Sequence, residues 1–362
     1  MIPKVPKNAW YPAWLREVLD SIRSLEGEPQ VKGQARFNRL PKPPGSLGRL
    51  GEAARQYAMI RGQERPQLQK KVVYIFAADH GVTEEGVSAY PRSVTVQMVH
   101  TLLRGEAAIN VLARYVGAEV RVVDIGVDHE FNQVGGLIHK KVLHGTRNIA
   151  KGPAMTRQEA LIAMEEGCGL ARQAAADGVD ILGTGDIGVE NTIPSSAIAA
   201  LMTGRPVDAV TAKGTGLDAK DLKHKIRIIE QAIKLNRPDP RDPLDVLAKV
   251  GGLEIAGIAG LLLGAAACRV PVVIDGFISA AGAFITTRLH PPIRDFIYIS
   301  HRSPDRGYWV MCAALGLRPL LDIDLKLGEG TGACLGISLV EAGVRVLSEM
   351  DRFEEANQSH RS

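Results

Sequence analysis

Aromatic side chains make up only 5% of the 362 residues, too few for a base-stacking platform along single-stranded nucleic acid. Charge of one sign is also missing. Lys and Arg total 44 against 40 Asp and Glu, a net of +4, so no basic face argues for a nucleic-acid partner. A few local basic positions for a small anion would account for that surplus as well. The four cysteines, Cys168, Cys268, Cys312 and Cys334, form no C-x-x-C pair and sit in apolar stretches, as reduced thiols of a cytoplasmic protein would. The nine histidines contain no H-x-x-x-H, and no Cys/His pair has zinc spacing, so no metal site is expected. G-x-x-x-x-G-K-[ST] and G-x-S-x-G are both absent, which excludes a Walker nucleotide site and a hydrolase elbow. The longest apolar run, residues 255–268, is too short for a bilayer, and Met1-Ile2-Pro3-Lys4 does not open a secretory leader, so no membrane partner is expected.

What is present is a repeated strand–helix pattern. Short β-branched runs cover residues 72–77, 120–124, 179–182, 270–275, 296–300 and, more weakly, 319–323. The first five end in polar or glycine-rich turns: Asp79-His80-Gly81, Asp124-Ile125-Gly126, Gly183-Thr184-Gly185, Asp275-Gly276 and Ser300-His301. Helical periodicity fills residues 93–115 and 156–177, and Thr156 with Glu159 spells a capping box. The pattern predicts an α/β fold: a doubly wound, mostly parallel, six-stranded Rossmann-like sheet with a small helical subdomain. That subdomain covers residues 1–65, joined by a C-terminal helix over 336–350. A large α/β domain spans 66–335, and 351–362 is a polar tail. Ligands of open parallel sheets sit beyond the strands' carboxyl ends, which places chemistry near Asp79, His80, Gly183–Gly188, Asp275 and Ser300–Ser303.

Four motifs could carry that chemistry. Gly183-Thr184-Gly185-Asp186-Ile187-Gly188 fits G-x-G-x-x-G, with Asp208 downstream for a ribose, but a plain strand–turn glycine cluster is the favoured reading, because the segment runs on into Val189-Glu190-Asn191 rather than straight into a long helix. Lys213-Gly214-Thr215-Gly216 offers a cation, a hydroxyl and free amides to a phosphate, or a helix start capped near Asp218. Gly328-Glu329-Gly330-Thr331-Gly332 places one carboxylate among glycines, as a general base or as an exposed turn. Asp79 and His80 are adjacent, so on a strand they point to opposite faces and make a poor dyad; a structural Asp–amide or His–carbonyl bond suits at least one of them.

In combination these segments resemble the nicotinate-nucleotide–dimethylbenzimidazole phosphoribosyltransferase family. The matching pieces, in family order, are Lys42-Pro43-Pro44-Gly45-Ser46-Leu47-Gly48-Arg49-Leu50, Ala78-Asp79-His80-Gly81-Val82, Thr146-Arg147-Asn148-Ile149, Asn191-Thr192 with Pro194-Ser195-Ser196, Gly214-Thr215-Gly216-Leu217-Asp218, Ser300-His301-Arg302-Ser303 and Leu327-Gly328-Glu329-Gly330-Thr331-Gly332-Ala333. The resemblance implies transfer of the phosphoribosyl group of nicotinate mononucleotide to 5,6-dimethylbenzimidazole, in the building of the cobamide lower ligand. It implies Glu329 as the base. It also implies a nucleotide site of Asn191, Thr192, Lys213, Gly214, Gly216, Ser303, Lys326 and Gly328, and a base pocket edged by Ser88, Gln97 and Asp186. No cofactor is implied. The partners implied are the two small molecules and a second subunit, as a homodimer or with a paralogue. Asp186 stands where the family has Glu, Ile193 where it has Thr, and Lys326 where Arg is common. These departures leave open another acceptor: a different benzimidazole, a purine or a phenol. A protein that binds the nucleotide or a cobamide precursor without catalysis is the alternative from another class.

Overall fold

The computed structural model describes residues 11–25, 36–40, 42–88, 90–132, 134–212 and 219–350. The 351–362 tail expected from the sequence, and the Lys213–Asp218 turn with Lys213, Gly214 and Gly216, lie outside them.

Seven strands form one parallel sheet: β1 (Lys71–Ala78), β2 (Ala118–Gly126), β3 (Leu137–His139), β4 (Ile181–Ile187), β5 (Val272–Ile274), β6 (Ile297–His301) and β7 (Pro319–Leu321). Their order is β3-β2-β1-β4-β5-β6-β7. The six strands expected are therefore seven. The extra one, β3, is three residues long with only Leu137 buried, too short to print a pattern in the sequence. The order of winding reverses between β1 and β4, which pair from Lys71↔Ile181 to Ala77↔Ile187. The switch point of the sheet, where a doubly wound fold opens a crevice, thus lies beyond Ala78 and Ile187.

Strand β4 corrects a second expectation. Gly183-Thr184-Gly185-Asp186-Ile187 is not a turn; it is strand throughout and buried throughout. Its glycines serve packing. A Cβ on Gly183 would lie 2.9 Å from Val73 Cγ2 and 3.2 Å from Ile337 Cδ1. With its G-x-G inside a strand, this motif offers no glycine loop to a pyrophosphate, and Asp208 is exposed on the short Val207–Val210 helix. The dinucleotide reading fails on that geometry.

Helices cover both faces, because β1 is buried at every position. Val73 faces Gly330, at the start of the Thr331–Glu349 helix. Phe76, of opposite parity, meets Gly257 of the Leu253–Ala267 helix on the other face. That second helix packs on the Arg157–Ala176 helix with almost no space between backbones, since a Cβ at Gly260 would sit inside contact distance of the Met164 carbonyl. The Thr156 capping box forms as read: Glu159 N–H donates to Thr156 Oγ1 at 3.1 Å and Thr156 N–H to Glu159 Oε2 at 2.6 Å. The helix expected over 93–115 is two helices, Ser93–Leu103 and Ala108–Val116, separated where Gly105 turns to φ 76°.

The Gly48–Arg61 helix lies against Thr331–Glu349. A Cβ on Gly343 would be 2.6 Å from the Leu50 carbonyl oxygen, and Leu40, Ala54, Ala58 and Leu347 close a small cluster there. Leu15, Val18 and Leu19 of the Ala13–Ser21 helix join the main core. Among the described residues only Thr331–Glu349 is long and apolar enough, on composition alone, to cross a membrane, and it is the helix held between the sheet and Gly48–Arg61. All four cysteines are free thiols.

Candidate active site

Four segments converge on the carboxyl edge of β1, β4, β5 and β6. The first is the turn Gly328–Gly330, in which all three residues are left-handed, with φ of 81°, 59° and 85°. For the glycines this is free; for Glu329 it costs roughly 1–2 kcal/mol and requires the surroundings to hold it. They do. Thr331 Oγ1 donates to the Gly328 carbonyl at 2.7 Å. The Gly330 and Ala333 amides donate to the Asp275 carboxylate at 2.9 and 3.1 Å. The turn also lies directly on β4: a Cβ at Gly185 would sit 2.8 Å from the Gly330 nitrogen and 2.9 Å from the Glu329 carbonyl carbon. The side chain so placed is half-buried at the rim. Burial, then the neighbouring Asp275, raises the Glu329 carboxyl above its ordinary range.

Asp186 is the second element. It is buried within β4 and accepts a hydrogen bond from Asn191 Nδ2 at 2.8 Å. Burial, with Asp275, Glu254 and Glu329 adding their charges against that one hydrogen bond, raises its carboxyl well above the usual range. Asn191 precedes the Thr192–Thr203 helix but gives it no side-chain cap, its amide being turned to Asp186.

The third element belongs to none of the sequence motifs. Lys225, in the Ala219–Asn236 helix, is 1% exposed; its Nζ donates to Thr192 Oγ1 at 2.6 Å and pairs with Glu190 Oε2 at 3.1 Å. A signal was available. Ile228, Ile229 and Ala232 follow at i+3, i+4 and i+7, so Lys225 falls on the buried stripe of its helix, where a lysine needs a reason. Ser303 is linked to this lysine through one neighbour. It is buried and donates to Asp305 Oδ2 at 3.0 Å, and Asp305 in turn feels the Lys225 charge.

Fourth, the end of β1 supplies Asp79 and His80. Asp79 Oδ2 accepts the Asp128 amide at 2.9 Å, the structural Asp–amide bond expected of it. His80 turns instead to Glu254, with Nε2 3.2 Å from Oε1 and both side chains fully buried. Burial disfavours the imidazolium, yet Glu254, Asp79 and Glu190 outweigh it and raise His80 above its ordinary value. The acidic neighbours thus favour protonation of His80 more than burial opposes it.

The remaining expected positions are looser. Ser88 is half-buried after the Gly81–Glu85 turn and accepts the Tyr90 amide at 3.1 Å. Gln97 is exposed on the Ser93–Leu103 helix; Thr95, buried two residues earlier, accepts the Val189 amide at 3.3 Å. Lys326 is exposed in the irregular chain before Gly328. Among the described residues no group of three or more His, Cys, Asp or Glu could hold a metal ion. A cavity of about 340 Å³ opens at the opposite edge of the sheet, before β6 and β7, beside Arg49, Arg294 and Asp295. There Arg49 is engaged by Glu52 and the Arg318 carbonyl.

This arrangement sets a half-buried carboxylate with raised proton affinity and a buried ammonium bonded to a hydroxyl on the same edge of the sheet. It suits proton removal from one ligand beside an anion site for another. Comparison with known proteins gives the family. A family model described as a phosphoribosyltransferase matches residues 22–357. The chain belongs to this phosphoribosyltransferase family. The nicotinate-nucleotide–dimethylbenzimidazole phosphoribosyltransferase of Geobacter sulfurreducens is 56% identical over 342 residues, 94% of this chain and 97% of that protein. That of Desulforudis audaxviator is 49% identical over 345 residues, 95% and 98% of the two chains. The crystal structure of the Thermus thermophilus enzyme superposes with a TM-score of 0.85 at 42% identity, covering 91% of this chain and 98% of that one.

Two expectations follow for this phosphoribosyltransferase. Gly185→Ala puts a methyl into the Gly330 backbone, and backbone cannot step aside cheaply. The turn carrying Glu329 must shift by several tenths of an ångström or more. Turnover should fall on the order of 10- to 100-fold while circular dichroism stays that of the folded protein. Asp186→Asn should raise stability. A carboxyl whose folded pKa lies above its unfolded one contributes stability in acid that is lost as pH rises through the unfolded towards the folded value. At neutral pH Asp186 therefore opposes folding, and its neutral isostere, still able to accept from Asn191, removes that opposition. The melting temperature at pH 7.5 should rise by about 2 °C or more, with the gain disappearing near pH 4. A melting temperature unchanged at both pH values would refute the protonation argument.

Proposed function

We propose that the protein transfers the 5-phosphoribosyl group of nicotinate mononucleotide to 5,6-dimethylbenzimidazole or a related aromatic base. The products are α-ribazole 5′-phosphate, for the nucleotide loop of a cobamide, and nicotinate. The single observation that carries the reading is Glu329, half-buried and left-handed at the sheet's switch point, held there by its neighbours rather than by its own preference.

The chemistry asks little else. A ring nitrogen of the azole attacks C1′, the glycosidic bond to nicotinate breaks with inversion, and the pyridine leaves as a neutral ring with its electron pair. It needs no acid, and no pyrophosphate charge has to be neutralised. As positive charge develops on the attacking azole, its second nitrogen gives up a proton to the Glu329 carboxylate. A carboxylate of raised proton affinity is a stronger base once ionised, which matches the task. Lys225, Thr192 and Ser303 offer a cation and hydroxyls to the 5′-phosphate, and holding the two substrates side by side supplies much of the acceleration. Asn191 holds the Asp186 carboxyl, which edges the base pocket, through its side-chain amide.

The same reading places the enzyme in the cytoplasm, where its four thiols stay reduced, and makes it a dimer of this chain or with a paralogue. The test incubates purified protein with nicotinate mononucleotide and a mixed panel of benzimidazoles, adenine and cresols, with no added metal, and reads products by mass. A riboside phosphate of one base, together with free nicotinate, is the expected outcome. Tight nucleotide binding with no product from any acceptor would favour the non-catalytic alternative.

A further inference from the structure

We infer that Asp275 is a positioning residue for the transfer reaction: its buried carboxylate fastens the Gly328–Gly330 turn to the sheet and so fixes where Glu329 points. The inference rests on the functional reading above.

Asp275 is fully buried one residue beyond β5. It is held from two strands, one of whose side chains is itself anchored. Its own amide donates to Thr184 Oγ1 on β4 at 3.3 Å, its carbonyl accepts from Ser300 Oγ on β6 at 3.1 Å, and Thr184 Oγ1 donates onward to Ser279 at 2.8 Å. Held this way, the carboxylate spends both oxygens on the chain around Glu329, one on the Gly330 amide and one on the Ala333 amide. Those amides begin the Thr331–Glu349 helix, whose preceding residue, Gly330, has no side chain to cap it. Asp275 therefore caps from another strand, with a negative charge where a helix favours one. Glycines keep the gap closed. A Cβ on Gly332 would overlap His301 and lie 2.8 Å from Asp275 Oδ1. Among the described residues no other side chain accepts from the backbone amides of Gly330 and Ala333, so Asp275 is the side chain that ties the left-handed Glu329 turn to the sheet.

The same carboxylate is the charged neighbour that raises Glu329. The titratable groups facing this corner are Asp186 from β4, His301 from β6 with Nδ1 4.0 Å from Asp275 Oδ1, Tyr308 from the Arg306–Leu315 helix, Cys334 from Thr331–Glu349, and Glu254, which reaches Asp186. Among them only Asp275 both binds the turn and bears on the Glu329 carboxyl.

The test compares wild type, Asp275→Asn and Asp275→Ala across pH with nicotinate mononucleotide and the accepted base. Asn keeps one acceptor oxygen but no charge; Ala keeps neither. Asp275→Ala should lose on the order of 100-fold in kcat and Asp275→Asn on the order of tenfold, with KM for the nucleotide within about twofold. In Asp275→Asn the acid limb of kcat should move to lower pH, because Glu329 ionises more easily once the neighbouring charge is gone. A purely structural capping role would lower activity without moving that limb, and either an unmoved limb or undiminished kcat overturns the inference. If neither variant folds, Thr184→Val removes the oxygen that holds the Asp275 amide and leaves the charge. It should lower kcat several-fold with the limb in place, and a wild-type kcat would overturn the inference. Absence of product from the wild type itself would instead strike at the functional reading.

Discussion

Replacing Glu329 with Gln is expected to cut kcat by about 10²- to 10⁴-fold while KM for nicotinate mononucleotide stays close to wild type. The two side chains have the same size and reach, so the turn, its left-handed backbone and its contact with Gly185 are preserved. What is lost is the ability to accept a proton in the transition state, an interaction absent from the ground state, and such losses fall on kcat. Stability separates this from damage. The Glu329 carboxyl is raised in the folded protein, so its contribution is favourable in acid and fades as pH rises. Its removal should leave the neutral-pH melting temperature equal or higher. Loss of turnover together with an undiminished melting temperature identifies a base; loss of both would point to a structural role. With a phenol as acceptor the same variant should fail for a related reason, since the carboxylate would then take the proton of the attacking oxygen itself.

Lys225→Met is the second large effect, and it has two parts. Lys225 and Glu190 are buried together, so removing the ammonium leaves a carboxylate without its partner in a site it cannot leave. Breaking such a pair costs about 3–5 kcal/mol. The double variant Lys225→Met with Glu190→Gln removes both charges and should recover most of that stability, as read by urea denaturation. Nucleotide binding should not recover. A charge-assisted contact to phosphate is worth about 1.5–3 kcal/mol, so KM for nicotinate mononucleotide should stay raised on the order of 10- to 100-fold in both variants. If the double variant regains wild-type KM, Lys225 is an internal ion-pair partner and the phosphate is held elsewhere.

The sheet is legible in the sequence because its buried strands carry β-branched runs with polar ends. Residues 72–77 and 120–124 each lie inside a longer strand. Two errors have separate causes. β3 is too short to show periodicity, and β4 runs through glycines that sequence rules assign to turns. The glycines at 183 and 185 are there because another backbone or packed side chain lies against the strand, a tertiary fact that no local pattern encodes. The site divides the same way. Glu329 stands out through its glycine frame. Asp275 can be placed at the rim by topology, but its hydrogen bonds to Gly330 and Ala333 span more than fifty residues of chain. Lys225 is hidden among the other lysines of its helix, and only the apolar stripe of Ile228, Ile229 and Ala232 marks it. A carbonyl partner suits His80 on sequence grounds; the acid it faces, Glu254, opens an otherwise apolar helix, where a buried carboxylate is not anticipated from the residues around it.

The most direct measurement of the central claim is a crystal structure of the protein with nicotinate mononucleotide and the accepted base bound, using Glu329→Gln to hold the complex before reaction. The side-chain amide at position 329, standing in for the carboxylate, is expected within about 2.6–3.2 Å of the azole nitrogen that bears the proton, with the phosphate against Lys225 and Thr192. A base bound with that nitrogen facing solvent, or a side chain at position 329 pointing away from both ligands, would contradict it.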